Sequence, residues 1–301
     1  MTAPALKVVS TRAELAKALP GTGEVGLVMT MGALHSGHLS LVEQLKEKVD
    51  YVVVTIFVNP AQFGAGEDLD SYPRSLASDT RLLEEVGASV LYAPSVQEVY
   101  PVEPRVTIQP GLAGEILEGY LRPGHFAGVL QVVGKMINLV RPKVAIFGQK
   151  DAQQFVNITQ MVADLDQQVE LIEAPIVRSE SGLALSSRNA YLDDRQLDQA
   201  TALHLSLVAG AGAADAGGDS AAIVAATSAV LELAEGVQAE YVALADAQSF
   251  DIFALWTPGA DQLGVETIVT PNPVPAAAYL LVAARVGPAR LIDNVKLEVA
   301  R

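Results

Sequence analysis

The chain has 301 residues, half of them hydrophobic, with a formal charge of −15 and a pI near 4.6. That balance argues against sequence-independent binding to DNA, RNA or an acidic membrane surface, which needs a basic footprint. No cysteine is present, which excludes disulfides, thiolate nucleophiles and cysteine-ligated zinc. No basic-then-apolar leader is visible, and no apolar run approaches the roughly 18 residues of a membrane span. The expectation is a soluble, cytoplasmic protein with no nucleic-acid and no membrane partner.

Thr11 to Leu19 reads as a short helix, with Thr11 as N-cap and Glu14 three residues on. Val25–Thr30 is an apolar run that reads as a buried strand, followed by Leu39, Val42, Leu45 and Val49 at helical spacing. Tyr51 to Val58 is a second buried strand, Ser78 to Val86 a helix and Ser89 to Tyr92 a short strand. Leu130, Val133, Met136, Ile137 and Val140 form a helical face stopped by Pro142. Val144–Phe147 is a strand, and Phe155, Ile158, Met161, Val162 and Leu165 mark the next helix. Alternating strands and helices predict βαβ units, hence an α/β fold with a Rossmann-like parallel sheet and helices on both faces.

The pattern changes near Pro175. Asp193 or Asp194 caps a helix carrying Leu197, Thr201, Leu205 and Val208. The small residues Ala209 to Gly218 read as a helix–helix connection, and an Ala-rich helix follows. Strands come around Tyr241–Ala245 and Tyr279–Val286, with a Gly287-Pro288 turn before Leu291. The expected organisation is a Rossmann-like domain over 1–176 and a smaller C-terminal α+β domain over 177–301.

Gly21-Thr22-Gly23-Glu24-Val25-Gly26 matches the dinucleotide fingerprint GxGxxG, but it precedes a strand and follows a helix, the reverse of what that motif requires. No GxxxxGK[ST] loop exists. The informative segment is Met31-Gly32-Ala33-Leu34-His35-Ser36-Gly37-His38, between a strand and a helix. Its glycines allow a tight turn and close backbone approach to a phosphate. The helix start offers free N–H groups and the positive end of a dipole, which also favours neutral imidazoles acting as donors. The bland alternative is a pair of structural histidines plugging a turn. Lys150 and Asp151 follow the Val144–Phe147 strand, at the carboxyl edge where parallel sheets bind ligands. Lys150 offers a point charge to a triphosphate, whereas Asp151 suits a ribose hydroxyl or a magnesium shell. Taken alone, the two would read as a surface ion pair. Ser186, Ser187 and Arg188 place two hydroxyls and a guanidinium on one loop, which in isolation is an ordinary polar turn.

Met31–His38, Phe57-Val58-Asn59-Pro60-Ala61-Gln62-Phe63, Tyr72-Pro73-Arg74, Arg122-Pro123-Gly124-His125-Phe126, Phe147-Gly148-Gln149-Lys150-Asp151-Ala152-Gln153-Gln154, Leu185-Ser186-Ser187-Arg188-Asn189 and Ala289-Arg290-Leu291-Ile292-Asp293-Asn294 follow one another along the chain. In that order they resemble the pantothenate synthetase (pantoate–β-alanine ligase) family, part of the HxGH adenylyl-transfer superfamily. The resemblance implies ATP-dependent condensation of pantoate with β-alanine through an enzyme-bound pantoyl adenylate, releasing AMP and pyrophosphate. It implies His38 as proton donor, with His35, Lys150, Ser186, Ser187 and Arg188 also in the chemistry. The implied ATP-binding residues are Met31 to His38, Gly148, Gln149, Lys150, Asp151, Val177 and Leu185 to Arg188. Gln62, Gln154 and Asn59 would take pantoate or β-alanine, Asp79 would bind Mg²⁺ where the bland alternative is a solvated helix acid, and the protein would be a homodimer. The Ser186–Arg188 loop would close on the departing pyrophosphate. Arg122 and His125 precede another helix start suited to anions, although His125 reads equally as a packed structural histidine, and His204 reads as structural.

The chain departs from the family pattern at Met29 (usually Pro), Ala61 (Met), Gln149 (Glu), Ala152 (aromatic) and Gln131 (Thr). Losing proline's fixed φ at Met29 should loosen the backbone before the phosphate turn. Ala61 and Ala152 should leave a roomier pocket, and Gln149 removes a negative charge. The competing readings are a nucleotidyltransferase of the same superfamily and a non-catalytic ATP-binding relative.

Overall fold

The computed structural model describes residues 5–259, 261, 263–265, 274 and 276–298. Two compact units emerge. The first runs to Gly114 and resumes over Arg122–Gly148 and Asn157–Pro175; the second comprises Glu115–Leu121, Gln149–Val156 and the chain from Ile176 onward.

The first unit is built on six parallel strands: β1 (Lys7–Val9), β2 (Val25–Thr30), β3 (Tyr51–Ile56), β4 (Val90–Tyr92), β5 (Val144–Gly148) and β6 (Glu170–Ala174), in the order β1-β4-β3-β2-β5-β6. In chain order the helices before Ile176 are α1 (Arg12–Ala18), α2 (Ser36–Lys46), α3 (Leu76–Val86), α4 (Val96–Val99), α5 (Glu118–Leu121), α6 (His125–Val140) and α7 (Ala152–Asp164), of which α5 and the start of α7 up to Val156 are counted with the second unit. Thr11 and Glu14 form the capping box expected for α1. Successive residues Leu27 and Val28, and Val53 and Val54, are fully buried. Because neighbouring strand side chains point to opposite faces, both faces of this sheet are covered. Leu41, Val42 and Leu45 of α2 and Leu83 of α3 pack on Val28, Val54 and Ile146.

The strand order has a mechanical consequence. The chain winds outward from β2 through β3 to β4, then crosses to β5 on the other side of β2. The carboxyl ends of β2 and β5 therefore open side by side at a topological switch point, the usual ligand position in such sheets.

The second unit carries an antiparallel sheet of β7 (Val237–Asp246), β8 (Ile252–Trp256), β9 (Ala277–Val286) and β10 (Ala289–Glu298), in the order β10-β9-β7-β8. Helices α8 (Asp194–Asp215) and α9 (Ser220–Leu233) bury Leu203, Leu207, Ile223 and Leu231 against Val242, Leu244, Leu280 and Val282. Gly287, at φ 53°, and Pro288 make the expected two-residue turn between β9 and β10.

Several elements differ from expectation. Ala209–Gly218 is not a connection, since α8 continues to Asp215. Alanine is the strongest helix former, so a run of small residues lengthens the helix rather than ending it. Gly210 belongs to that packing: a Cβ there would lie 2.1 Å from the Thr227 hydroxyl of α9. The buried face of α8 is Ala200, Leu203, Leu207 and Gly210, whereas Leu205 and Val208 are exposed. The edge strands β1, β6 and β8 lie outside the predicted elements: β1 and β6 lack a sustained apolar run, whereas Ile252–Trp256 is a short continuous one whose length alone does not tell a strand from a buried helical turn. Met29 is not loosened, because it sits within β2 in register with Thr55 of β3, where sheet pairing holds its backbone. Among the described residues no helix is long and apolar enough to cross a membrane.

A charge cluster holds the second unit together. Arg290 on β10 donates to both oxygens of buried Glu118 at 2.6 and 2.7 Å and to Glu240 at 2.6 Å. Burial, then the charge of Glu118, push the pKa of Tyr241 well up, so its neutral hydroxyl donates to Glu118 at 2.9 Å. Removing one partner leaves a buried charge uncompensated, so Arg290→Ala should lower the unfolding free energy by about 3–5 kcal/mol. Glu118→Gln in the same chain should recover part of that loss, as read by denaturant unfolding.

Candidate active site

β2 ends at Thr30, whose hydroxyl donates to the Thr55 carbonyl at 2.9 Å and accepts from the Gly32 N–H at 3.2 Å. The chain then turns through two left-handed residues, Gly32 (φ 87°) and Ala33 (φ 51°). Glycine adopts that conformation freely; alanine does so at a cost that its surroundings must offset. The compensation comes from Asp79, buried in the first turn of α3. Its Oδ2 accepts from the Ala33 N–H at 3.0 Å and its Oδ1 from the Leu34 N–H at 2.9 Å.

The turn delivers the chain into α2 with His35 as N-cap and His38 in the first helical turn. The His38 and Leu39 N–H groups donate to the His35 carbonyl. His38 Nδ1 accepts from the His35 N–H at 3.4 Å, and the two rings lie 4.1 Å apart between centroids. An accepting Nδ1 carries no proton, so this arrangement places the proton of neutral His38 on Nε2.

Gln62 is buried in the 3₁₀ turn Pro60–Gln62 that follows β3. Its Nε2 lies 3.1 Å from Met31 Sδ, which brings it to the His-bearing turn. Asn59, expected to assist with pantoate, is 1% exposed. Its Oδ1 accepts from the Tyr100 hydroxyl at 3.0 Å and the Ala61 N–H at 3.3 Å. Its Nδ2 donates to Gln62 Oε1 at 3.1 Å and to the Gly128 carbonyl at 3.0 Å. That amide is saturated, so Asn59 orients Gln62 rather than meeting a ligand. Burial pushes the Tyr100 hydroxyl up to about 12. Gly128 of α6 passes so close to the Ala61 carbonyl that a Cβ would lie 2.2 Å from it, so α6 presses directly on this turn.

A second network ties the 64–74 segment to the same place. Arg122 donates in a fork to Glu67, 2.7 Å to each oxygen. Its third nitrogen faces His125 Nε2 at 3.1 Å. Arginine only donates, so Nε2 accepts and the opposite Nδ1–H donates to the Gln62 carbonyl at 2.7 Å. His125 is thus a buried link from Arg122 to Gln62.

The second unit gathers the remaining predicted residues. Gln149, Lys150 and Asp151 form a 3₁₀ turn directly after Gly148, with Lys150 Nζ 3.8 Å from Asp151. Gln154 lies in the first turn of α7, partly exposed. Val177 and Leu185 join by a backbone bond in a small hairpin whose tip, Gly182, rests on His204 of α8. Burial lowers the pKa of His204, in keeping with a packed structural role. The hairpin leads to Ser186, whose Oγ accepts from the Arg188 N–H at 3.3 Å.

Sequence reasoning missed three parts of these arrangements: the grip of Asp79 on the turn, the Tyr100 hydroxyl on Asn59, and the Glu67–Arg122–His125 chain. Among the described residues no three His, Cys, Asp or Glu side chains gather to hold a metal. Asp79, expected as a magnesium ligand, has both oxygens on backbone donors. It fits a role as anchor of the turn.

Two measurements check these local assignments. Asp79→Ala removes two charge-assisted bonds and should cost about 2–3 kcal/mol of local stability. Hydrogen exchange at the Ala33 and Leu34 amides is expected to accelerate accordingly. Hydrogen bonding to Arg122 holds the Glu67 carboxyl below its ordinary 4.5. A carboxylate with a lowered folded pKa adds stability above its unfolded value and loses it as pH falls through the folded one. Wild type should therefore exceed Glu67→Gln in unfolding free energy above pH 4.5, and the difference should vanish at lower pH.

The family model described as "Pantoate-beta-alanine ligase" matches residues 6–296 of this chain. The pantothenate synthetase of Salinispora arenicola is 46% identical over 297 residues, 98% of each chain. That of a Nocardioides species is 49% identical over 298 residues, 95% of this chain and 84% of its own. The crystal structure of the Thermus thermophilus pantothenate synthetase superposes with a TM-score of 0.87 at 42% identity, covering 98% of this chain and all of that one. The Francisella tularensis pantoate–β-alanine ligase, described as complexed with "Beta-gamma ATP and Beta-alanine", gives 0.72 at 29% identity over 97% of each chain.

Proposed function

The chain belongs to the pantoate–β-alanine ligase family, enzymes that join pantoate to β-alanine, and we propose that it does so with ATP through a pantoyl adenylate. The Francisella relative, described as complexed with "Beta-gamma ATP and Beta-alanine", supports ATP as substrate. In the proposed course, the pantoate carboxylate attacks the α-phosphorus and the bond from that phosphorus to the α,β-bridging oxygen breaks, releasing the β- and γ-phosphates as pyrophosphate. The β-alanine amine then attacks the acyl carbon, loses a proton, and expels AMP.

The observation that carries this reading is the His35/His38 pair at the start of α2, behind the turn held by Asp79 at the switch point of the sheet. Helix N–H groups and a neutral imidazole with its proton on Nε2 are donors suited to charge building on a transferring phosphoryl group. In this reading His38 gives a hydrogen bond to that charge and His35 helps hold the phosphates. Lys150 adds a point charge, Ser186, Ser187 and Arg188 take the departing pyrophosphate, and Asp151 takes a ribose hydroxyl. The ATP contacts assigned to Met31 through Leu34, Ser36, Gly37, Gly148, Gln149, Val177 and Leu185 belong to the same proposal. Gln62 and Gln154 bind pantoate, donating to its carboxylate and accepting from its hydroxyls without a charge pair that would hold the nucleophile back. Magnesium enters this reading as the ion carried by the triphosphate, which takes few protein carboxylates. No step depends on a metal held by the residues described. The C-terminal domain acts as a lid that keeps water from the acyl adenylate. The enzyme works as a cytoplasmic homodimer, its oligomeric state to be read by sedimentation.

The test is AMP formation from ATP with pantoate and β-alanine, each omitted in turn. The ligase releases AMP only when all three are present. A nucleotidyltransferase releases pyrophosphate and retains the nucleotide on its product, and a non-catalytic ATP binder shows no pantoate-dependent ATP–pyrophosphate exchange. His38→Ala should leave the fold intact and slow adenylate formation by about 10²–10³-fold, the scale of one preorganised donor. An unchanged rate removes His38 from the chemistry.

A further inference from the structure

The dipeptide Asp293-Asn294 on β10 has no part in the chemistry above, yet both residues are buried, at 2% and 1% exposure. An amide and a carboxylate buried in a sheet need partners, and the partners here are the two segments of the second unit assigned to ATP. Asn294 Nδ2 donates to the carbonyls of Gln149 and Lys150, both at 3.0 Å. Its Oδ1 accepts from the Gln149 side-chain amide at 3.1 Å. Both hydrogens of one amide thus lie on consecutive carbonyls of the Gln149–Asp151 turn, which fixes both peptide planes and with them the direction in which Lys150 leaves the backbone. Asp293 faces the other segment. Its oxygens accept a fork from Arg178 at 2.6 and 3.0 Å. Arg178 also donates to the Gly182 carbonyl at 3.1 Å and the Asn294 carbonyl at 3.2 Å, closing the hairpin that ends in Ser186. The Asn294 N–H donates to Asp293 Oδ1 at 2.8 Å, so the two grips share one strand and one internal bond.

We infer that Asp293 and Asn294 are positioning residues that hold Lys150 and the base of the Ser186–Arg188 loop in register for the triphosphate. The inference rests on the ATP role proposed above for Lys150. It adds that a β-strand, acting through the carbonyls on either side of Lys150, sets where that charge is delivered. Misplacing a catalytic charge by about 1 Å costs on the order of 10²-fold in rate, which gives such a platform a functional weight beyond stability.

The test is a double-mutant cycle of Asn294→Ala and Lys150→Ala in the full-length enzyme. Its readouts are pantoate-dependent ATP–pyrophosphate exchange, KM for ATP and for pantoate, and thermal unfolding. Asn294→Ala should lower kcat/KM for ATP by about 10- to 100-fold, raise KM for ATP and leave KM for pantoate unchanged. In the Lys150→Ala background it should cost nothing further, because the residue it positions is gone. An equal loss in both backgrounds, or a fall in kcat that disappears once rates are corrected for the fraction of folded enzyme, makes Asn294 a structural residue only and overturns the inference while leaving the proposed function standing. An unimpaired Lys150→Ala overturns the assignment of Lys150 itself, and the inference with it. If Asn294→Ala does not fold, Asn294→Ser, which retains one donor, runs the same cycle with a smaller loss of the same kind expected.

Discussion

Everything the His-bearing turn presents depends on one carboxylate. Between β2 and α2 the chain makes two consecutive left-handed steps, one at a residue that is not glycine. Asp79 holds that geometry by taking two successive backbone N–H groups on its two oxygens. Charge-assisted bonds of this kind are stronger than neutral ones, and a buried carboxylate needs such donors in turn. The constraint is mutual: the turn keeps Asp79 satisfied, and Asp79 keeps the turn in the shape from which α2 starts with His35 and His38 at its first residues.

The same device recurs. Asn59 saturates its amide to orient Gln62, and the Gln62 carbonyl is held in turn by His125, which Arg122 orients. In the second unit Asn294 and Asp293 hold the Lys150 turn and the hairpin before Ser186. Asp79, His125, Asp293 and Asn294 stand on helices or strands and hold the backbone or side chains of irregular segments, while Asn59 works from a loop that the Gly128 carbonyl of α6 fixes in turn. Loops alone are too mobile to aim a donor within a fraction of an ångström, so the precision is borrowed from strands and helices through fully bonded polar groups.

Bonds also occupy several of the positions at which the sequence reading sets this chain apart from the family pattern. Met29 stands where proline is usual, and the backbone it might have freed is paired to β3 instead. Gln149 stands where glutamate is usual, and its amide donates to Asn294, which a carboxylate would not do. Gln131, in place of threonine, accepts from the Ile108 N–H at 3.0 Å and so fixes a neighbouring stretch of chain. The structure gives no account of Ala152 beyond its burial at the start of α7.

The sequence by itself determined the alternation of strands and helices, the switch at Pro175 to a different pattern, and the strand–turn–helix that carries His35 and His38. These follow from periodicity, capping and turn chemistry, all of which act over a few residues and leave a local trace. It misjudged Ala209–Gly218, because small residues carry almost no hydrophobic period, and the exposed side of α8, because Leu203, Leu205, Leu207 and Val208 offer an apolar residue to either face and only the fit against α9 and the sheet decides which is buried. The tertiary structure alone decided what Asp79, Asn59, Tyr100, Asp293 and Asn294 do. Their partners lie 41 to 145 residues away along the chain in the bonds that matter most. A polar side chain in a sequence reads as exposed by default; only a finished fold buries it beside the backbone group that it holds.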